Sequence, residues 1–145
     1  MTTKHKAEIL KYLDTKGLVV KLSKYEDDLE KAMVERMTFT STNHGFIAAR
    51  DNDCLEVRRL LAELAVKAPE VNEETNKKLT IADKEKWLML QRNENKELGE
   101  AITKQRQVTF VLDDYQVRID MAKKRLEGIK AVIALKTAQI DFLAS

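Results

Sequence analysis

Reactive chemistry in this chain would have to come from two histidines, one cysteine and a few adjacent acid pairs. His5 and His44 lie far apart, and neither stands in a metal-ligand spacing. Cys54 is placed to open a helix, where the dipole favours a thiolate; the alternative is a small buried apolar residue. Asp27-Asp28 and Asp113-Asp114 read as solvated helix surface rather than an acid/base pair. There is no Gly-rich phosphate loop, Walker-type lysine or nucleophile elbow. The expectation is a non-enzyme with no cofactor and no metal.

Charge is the other chemistry on offer. The formal net charge is only +2, but the basic residues crowd toward the C-terminal part. Lys104, Arg106, Arg118, Lys123, Lys124, Arg125, Lys130 and Lys136 face only Asp113, Asp114, Asp120 and Glu127. Arg58-Arg59 and Lys123-Lys124-Arg125 are the tight clusters, and they are the candidate nucleic-acid contacts. Repeated on several subunits, such clusters would neutralise phosphates and multiply a weak affinity. Read as ordinary helix surface, the same residues pair with nearby Asp120 and Glu127.

These residues need a scaffold, and the last third of the chain supplies its clearest sign. From Val108, apolar residues step by four and three: Leu112, Tyr115, Ile119, Ala122, Leu126, Ile129, Ile133, then Lys136, Ile140 and Leu143. That spacing lines one face of a helix, which cannot remain in water. Leu112, Tyr115, Ile119, Leu126, Ile129, Ile133, Lys136, Ile140 and Leu143 form the candidate oligomerisation seam. Lys136 is its one charged member, a residue that selects register or snorkels outward. Val117, Met121, Gly128, Val132, Leu135 and Phe142 make a second, ragged stripe beside it. Two stripes exceed the single seam of a two-stranded coil. Intrachain packing can cover one and a neighbouring subunit the other.

Upstream, a first helix is expected from about Lys4 to Lys16, with Ile9, Leu10 and Leu13 apolar and Gly17 as its C-terminal stop. Ser23 to Glu26 fits a capping box opening a second helix, with Tyr25, Leu29, Ala32, Met33 and Met37 buried. The β-prone run after Met37 and the Asn43-His44-Gly45 turn allow a short hairpin near 38–49. Asp53 is the expected N-cap of a third helix carrying Cys54, Val57, Leu61, Leu64 and Ala68, which Pro69 ends or kinks. Residues 70–78 read as a polar hinge or a short helix. Thr80 to Asp83 is another capping box, opening one long or gently interrupted helix to Ala144. Residues 91–99 are polar enough to leave a bend open.

The expected fold class is therefore all-α. A small N-terminal helical region (1–69) precedes a long C-terminal helix or helical hairpin (70–145) that forms a coiled-coil-like oligomer. Composition agrees: 34% of the 145 residues are charged, with four Gly and one Pro. One cysteine allows no intrachain disulfide, and the apolar runs are too short to cross a bilayer. A cytoplasmic protein without a membrane partner is expected.

Two segments carry a resemblance. Ala82-Asp83-Lys84-Glu85 opens a long helix, and Arg125-Leu126-Glu127-Gly128-Ile129-Lys130 comes later, with Tyr115 and Gln116 upstream and Ile140-Asp141-Phe142 downstream. In type and order these resemble the C-terminal half of the phage recombination-mediator family, although the two segments lie further apart here. The resemblance implies a homo-oligomer built through the last helix, binding to single-stranded DNA, and help in loading a RecA-type recombinase. The unmatched N-terminal half is where that family's DNA contacts would fall, so Arg58, Arg59, Lys123, Lys124 and Arg125 rest on charge alone. A structural or scaffolding protein without nucleic-acid binding, and an adaptor for one protein partner, are the competing readings.

Overall fold

The computed structural model describes residues 2–5, 15–49 and 52–145. The fold is mostly helical, with no strand among the described residues. Helix α1 spans Thr15–Thr42, a 3-10 turn His44–Phe46, α2 Leu55–Val66, α3 Ile81–Glu94 and α4 Lys96–Ala144. The described chain groups into two compact units. One is Met1–Thr38 with Asp114–Ser145, and the other is Phe39–Asp113. The sequence division near Pro69 falls inside the second.

In the first unit, α1 runs without interruption through both Gly17 and Ser23. Ser23 is therefore not an N-cap, and Gly17 does not stop a helix. The reason lies in a stripe longer than the local signals suggest. Leu18, Leu22, Tyr25, Leu29 and Ala32 step by four and three along one half-buried face. Packing along that face outweighs an interior glycine, which costs about 1 kcal/mol. Most of the first expected helix, including Ile9, Leu10 and Leu13, lies outside the described residues.

The expected hairpin near 38–49 is replaced by helix. Thr38 to Thr42 continue α1, and Asn43 closes it by donating from both its backbone N–H and its side-chain amide to the Phe39 carbonyl, at 3.0 and 3.1 Å. The β-prone threonines lose to their helical context, because local propensity is a small term.

The second unit holds a small closed core. Cys54, Val57, Leu60, Leu98 and Ala101 are buried together, with Phe46, Leu61, Leu64 and Ile102 packed against them. Helix α2 starts at Leu55 with Cys54, not Asp53, as N-cap, and it ends three residues before Pro69. The Cys54 N–H donates to Gln105 Oε1 of α4 at 2.8 Å, which ties the start of one helix to the flank of another. Asp53 instead accepts two hydrogen bonds from Arg92 of α3, both 2.8 Å.

Residues 70–79 form a closed turn in place of the expected hinge or helix. The Leu79 N–H donates to the Glu70 carbonyl and the Asn72 N–H to that of Lys77, both at 2.9 Å. Asn76 takes φ 53°, a left-handed value that Asn tolerates. The capping box at Thr80 forms as the spacing predicts. Thr80 Oγ1 accepts from the Asp83 N–H, and Asp83 Oδ2 accepts from the Thr80 N–H. The long helix does not run on from there. Asn95 has an extended ψ of 119°, separating α3 from α4, and its Oδ1 accepts from the Leu98 N–H at 2.9 Å.

Candidate assembly surface and basic residues

The face read from the four-three spacing is the covered face of α4. Val108, Ile119, Ala122, Ile129 and Leu143 are buried. Leu112, Tyr115, Leu126, Ile133, Lys136 and Ile140 are half-buried. From Asp114 onward these positions belong to the unit that also holds α1. The seam is thus covered to a large extent by the chain's own packing. Lys136 keeps an intermediate exposure on this face, as a lysine does when its stem lies along apolar surface.

The second stripe behaves in the opposite way. Val117, Met121, Val132, Leu135 and Phe142 are all exposed, Phe142 at 73%. Gly128 stands among them, and a Cβ built there would meet nothing within 4 Å. On a helix winding at 3.5 residues per turn, positions 117, 121, 124, 125, 128, 132, 135 and 142 share one face. Lys124 and Arg125 therefore lie within this stripe.

A matching uncovered surface occurs on α1. Leu29, Met33, Val34 and Met37, with Leu126 of α4, line an almost wholly apolar groove of about 410 Å³. Glu26 and Glu30 also line it. Met33 and Met37, expected in the core, are instead 50% and 64% exposed. The stripe from Leu18 to Ala32 already supplies the buried face of α1, so the methionines are surplus to it. That surplus is the signal in the sequence that marks the groove.

The basic candidates divide. Arg59 is held by Glu56 and Glu63 on its own helix, and this raises its pKa and lowers that of Glu56. Its charge is locally cancelled. Arg58, Lys123, Lys124 and Arg125 are exposed. Arg118 pairs with Asp114 at 3.0 Å, and Lys104 sits over the Phe46 ring at 4.2 Å from its centroid. Arg58-Arg59 belongs to the second unit and Lys123-Lys124-Arg125 to the first.

Reactive groups are sparse. Cys54 is 1% exposed and acts as a small core residue. His44 sits in the 3-10 turn, and His5 Nδ1 lies 3.2 Å from Thr2 Oγ1. Among the described residues, no group of three or more His, Cys, Asp or Glu side chains could hold a metal ion. No described helix is long and apolar enough to cross a membrane. A second concavity, about 370 Å³, lies between the 70–79 turn and α3, lined by Pro69, Leu79, Trp87 and Leu90. Glu73, Asp83 and Lys86 also line it, so it offers a polyanion no net attraction. Asp83 is held below the usual carboxylate range by the Thr80 hydrogen bonds and stays ionised.

Comparison with known proteins finds no family model, no curated protein and no solved structure that matches this chain.

Proposed function

We propose that this chain is a non-enzymatic, self-associating helical protein that works on single-stranded DNA as an accessory to a RecA-type recombinase. The observation that carries the assembly part is the outer face of α4. Five large apolar residues between Val117 and Phe142 lie uncovered on a helix whose other apolar face is already packed. Large apolar side chains exposed along one helix face support an interaction site. The DNA part rests on the exposed Lys123, Lys124, Arg125 and Arg58, and on the resemblance carried by Ala82 to Glu85 and Arg125 to Lys130. Few aromatic residues are available for base stacking, so phosphate contacts would supply the affinity.

A second reading is a scaffolding protein with the same assembly and no nucleic-acid role. It is favoured by the capture of Arg59 between Glu56 and Glu63 and of Arg118 by Asp114, which trims the basic surface. Native mass with and without an oligothymidylate separates the two. The first reading expects an oligomer that binds the oligonucleotide at low salt and releases it steeply as salt is added. An oligomer that ignores DNA at low salt leaves the scaffold. A monomer at high concentration removes both.

A further inference from the structure

We infer that the groove of α1 receives the outer stripe of α4 from a second copy of this chain. The inference rests on the self-association just proposed, but it moves the contact. The seam read from the sequence is packed within the chain, so the partner must use a different surface.

Both halves of the contact lie in one unit and are complementary in charge. The groove presents Leu29, Met33, Val34 and Met37, with Glu26 and Glu30 beside them. Two of the four are methionines, whose unbranched side chains adapt to an incoming surface. The stripe presents Val117, Met121, Val132, Leu135 and Phe142, interrupted by Lys124 and Arg125. Two acids border the receiving surface, and two bases sit within the inserting one. A polyanion or an acidic peptide would be repelled from the groove by Glu26 and Glu30, whereas the basic stripe of a sister chain is drawn in.

Gly128 supplies an independent reason. A glycine inside a long helix is destabilising relative to alanine. Among the described residues nothing lies within 4 Å of where a Cβ would stand there. It stands at the middle of the stripe, flanked by Met121 and Val132. A missing side chain at that place allows another helix to approach closely.

Two different patches meet in this contact, so it closes either as a two-fold pair, in which each groove holds the other copy's stripe, or head to tail as a ring. Lys124 and Arg125 then belong to the subunit contact, which leaves Lys123 and Arg58 as the candidates for phosphate.

The experiment is sedimentation or native mass of the full chain over a range of concentrations. Gly128→Ala is the first variant, since alanine can only help an isolated helix. The expected result is a thermal midpoint for the dilute chain that is unchanged or raised, with self-association weakened by roughly tenfold or more through overpacking. Wild-type association in this variant overturns the inference. The second test reverses charge. Lys124→Glu with Arg125→Glu dissociates the assembly, and adding Glu26→Lys with Glu30→Lys restores it. Failure to restore overturns the pairing of groove with stripe. An oligomer indifferent to every variant overturns this inference alone, whereas a wild-type monomer at high concentration overturns the proposed function as well.

Discussion

The two compact units differ in how they are held. In Phe39–Asp113, hydrogen bonds reach across the fold from one element to another. Gln105 accepts from the Cys54 N–H, Arg92 grips Asp53, and a small core of Cys54, Val57, Leu60, Leu98 and Ala101 closes beneath them. In Met1–Thr38 with Asp114–Ser145, the ion pair and side-chain hydrogen bonds seen along α4 are local, such as Arg118 with Asp114 and Gln116 with Asp120. Its buried residues form a line along α4, a half-buried stripe runs along α1, and Val117, Met121, Val132, Leu135 and Phe142 are left outside. Directional contacts over-determine the first kind of fold. The second depends on apolar stripes, which are less selective about what covers them. A surface built to accept a partner belongs in the second kind.

The largest effect is expected for Ile129→Asp. Ile129 is 8% exposed and lies on the packed face of α4. A carboxylate there has no partner and costs several kcal/mol, so helicity of the first unit collapses rather than merely its association. Far-UV circular dichroism reads the loss, while the fluorescence of Trp87, the sole tryptophan, moves less because it sits in the other unit. Equal loss by both probes would show that the units do not differ in the way described.

A smaller effect is expected at the core of the second unit. Leu98 is fully buried, and Leu98→Ala removes transfer energy and leaves a void, about 2–5 kcal/mol in all. The Trp87 unfolding midpoint in urea falls, and self-association at neutral pH is retained. Lost association with an unmoved Trp87 transition would contradict the assignment.

The smallest effect is expected at the Arg92–Asp53 pair of the second unit. The two hydrogen bonds from Arg92 hold the Asp53 carboxyl below its ordinary value of 3.8 and raise the guanidinium pKa in turn. A lowered folded-state pKa means a contribution that is present above 3.8 and lost as pH falls through the lower folded value. Asp53→Asn is therefore less stable than wild type at neutral pH. The gap narrows in acid, as pH falls below 3.8 and the wild-type carboxyl takes up its proton. Urea midpoints at the two pH values check this, and a gap that widens in acid would reverse the sign.

Legibility in the sequence tracks the range of the interaction. The packed face of α4 is readable because every seam position repeats at helical spacing, and so is the Thr80–Asp83 box, a contact across three residues. Which stripe the chain covers for itself is not readable. That depends on α1, whose own stripe begins at Leu18 and is hidden behind the stop and cap signals of Gly17 and Ser23. The Arg92–Asp53 pair joins residues 39 apart, and nothing local announces it. The exposed groove escapes notice because Met33 and Met37 look like core residues until the buried face of α1 has been assigned to others. The basic clusters are readable as charges, but Glu56 and Glu63 have to be placed around Arg59 before one of them can be discounted.

Asn95 also governs how this chain can vary. Because it steps out of helical geometry and caps α4, the rotational phase of the final helix is set anew at Lys96. Losing one residue between Ile81 and Glu94 would turn only the short upstream segment. The same deletion just past Asp114, within the unit that holds α1, would swing all downstream side chains by about 100° and turn the inner ridge out of its packing.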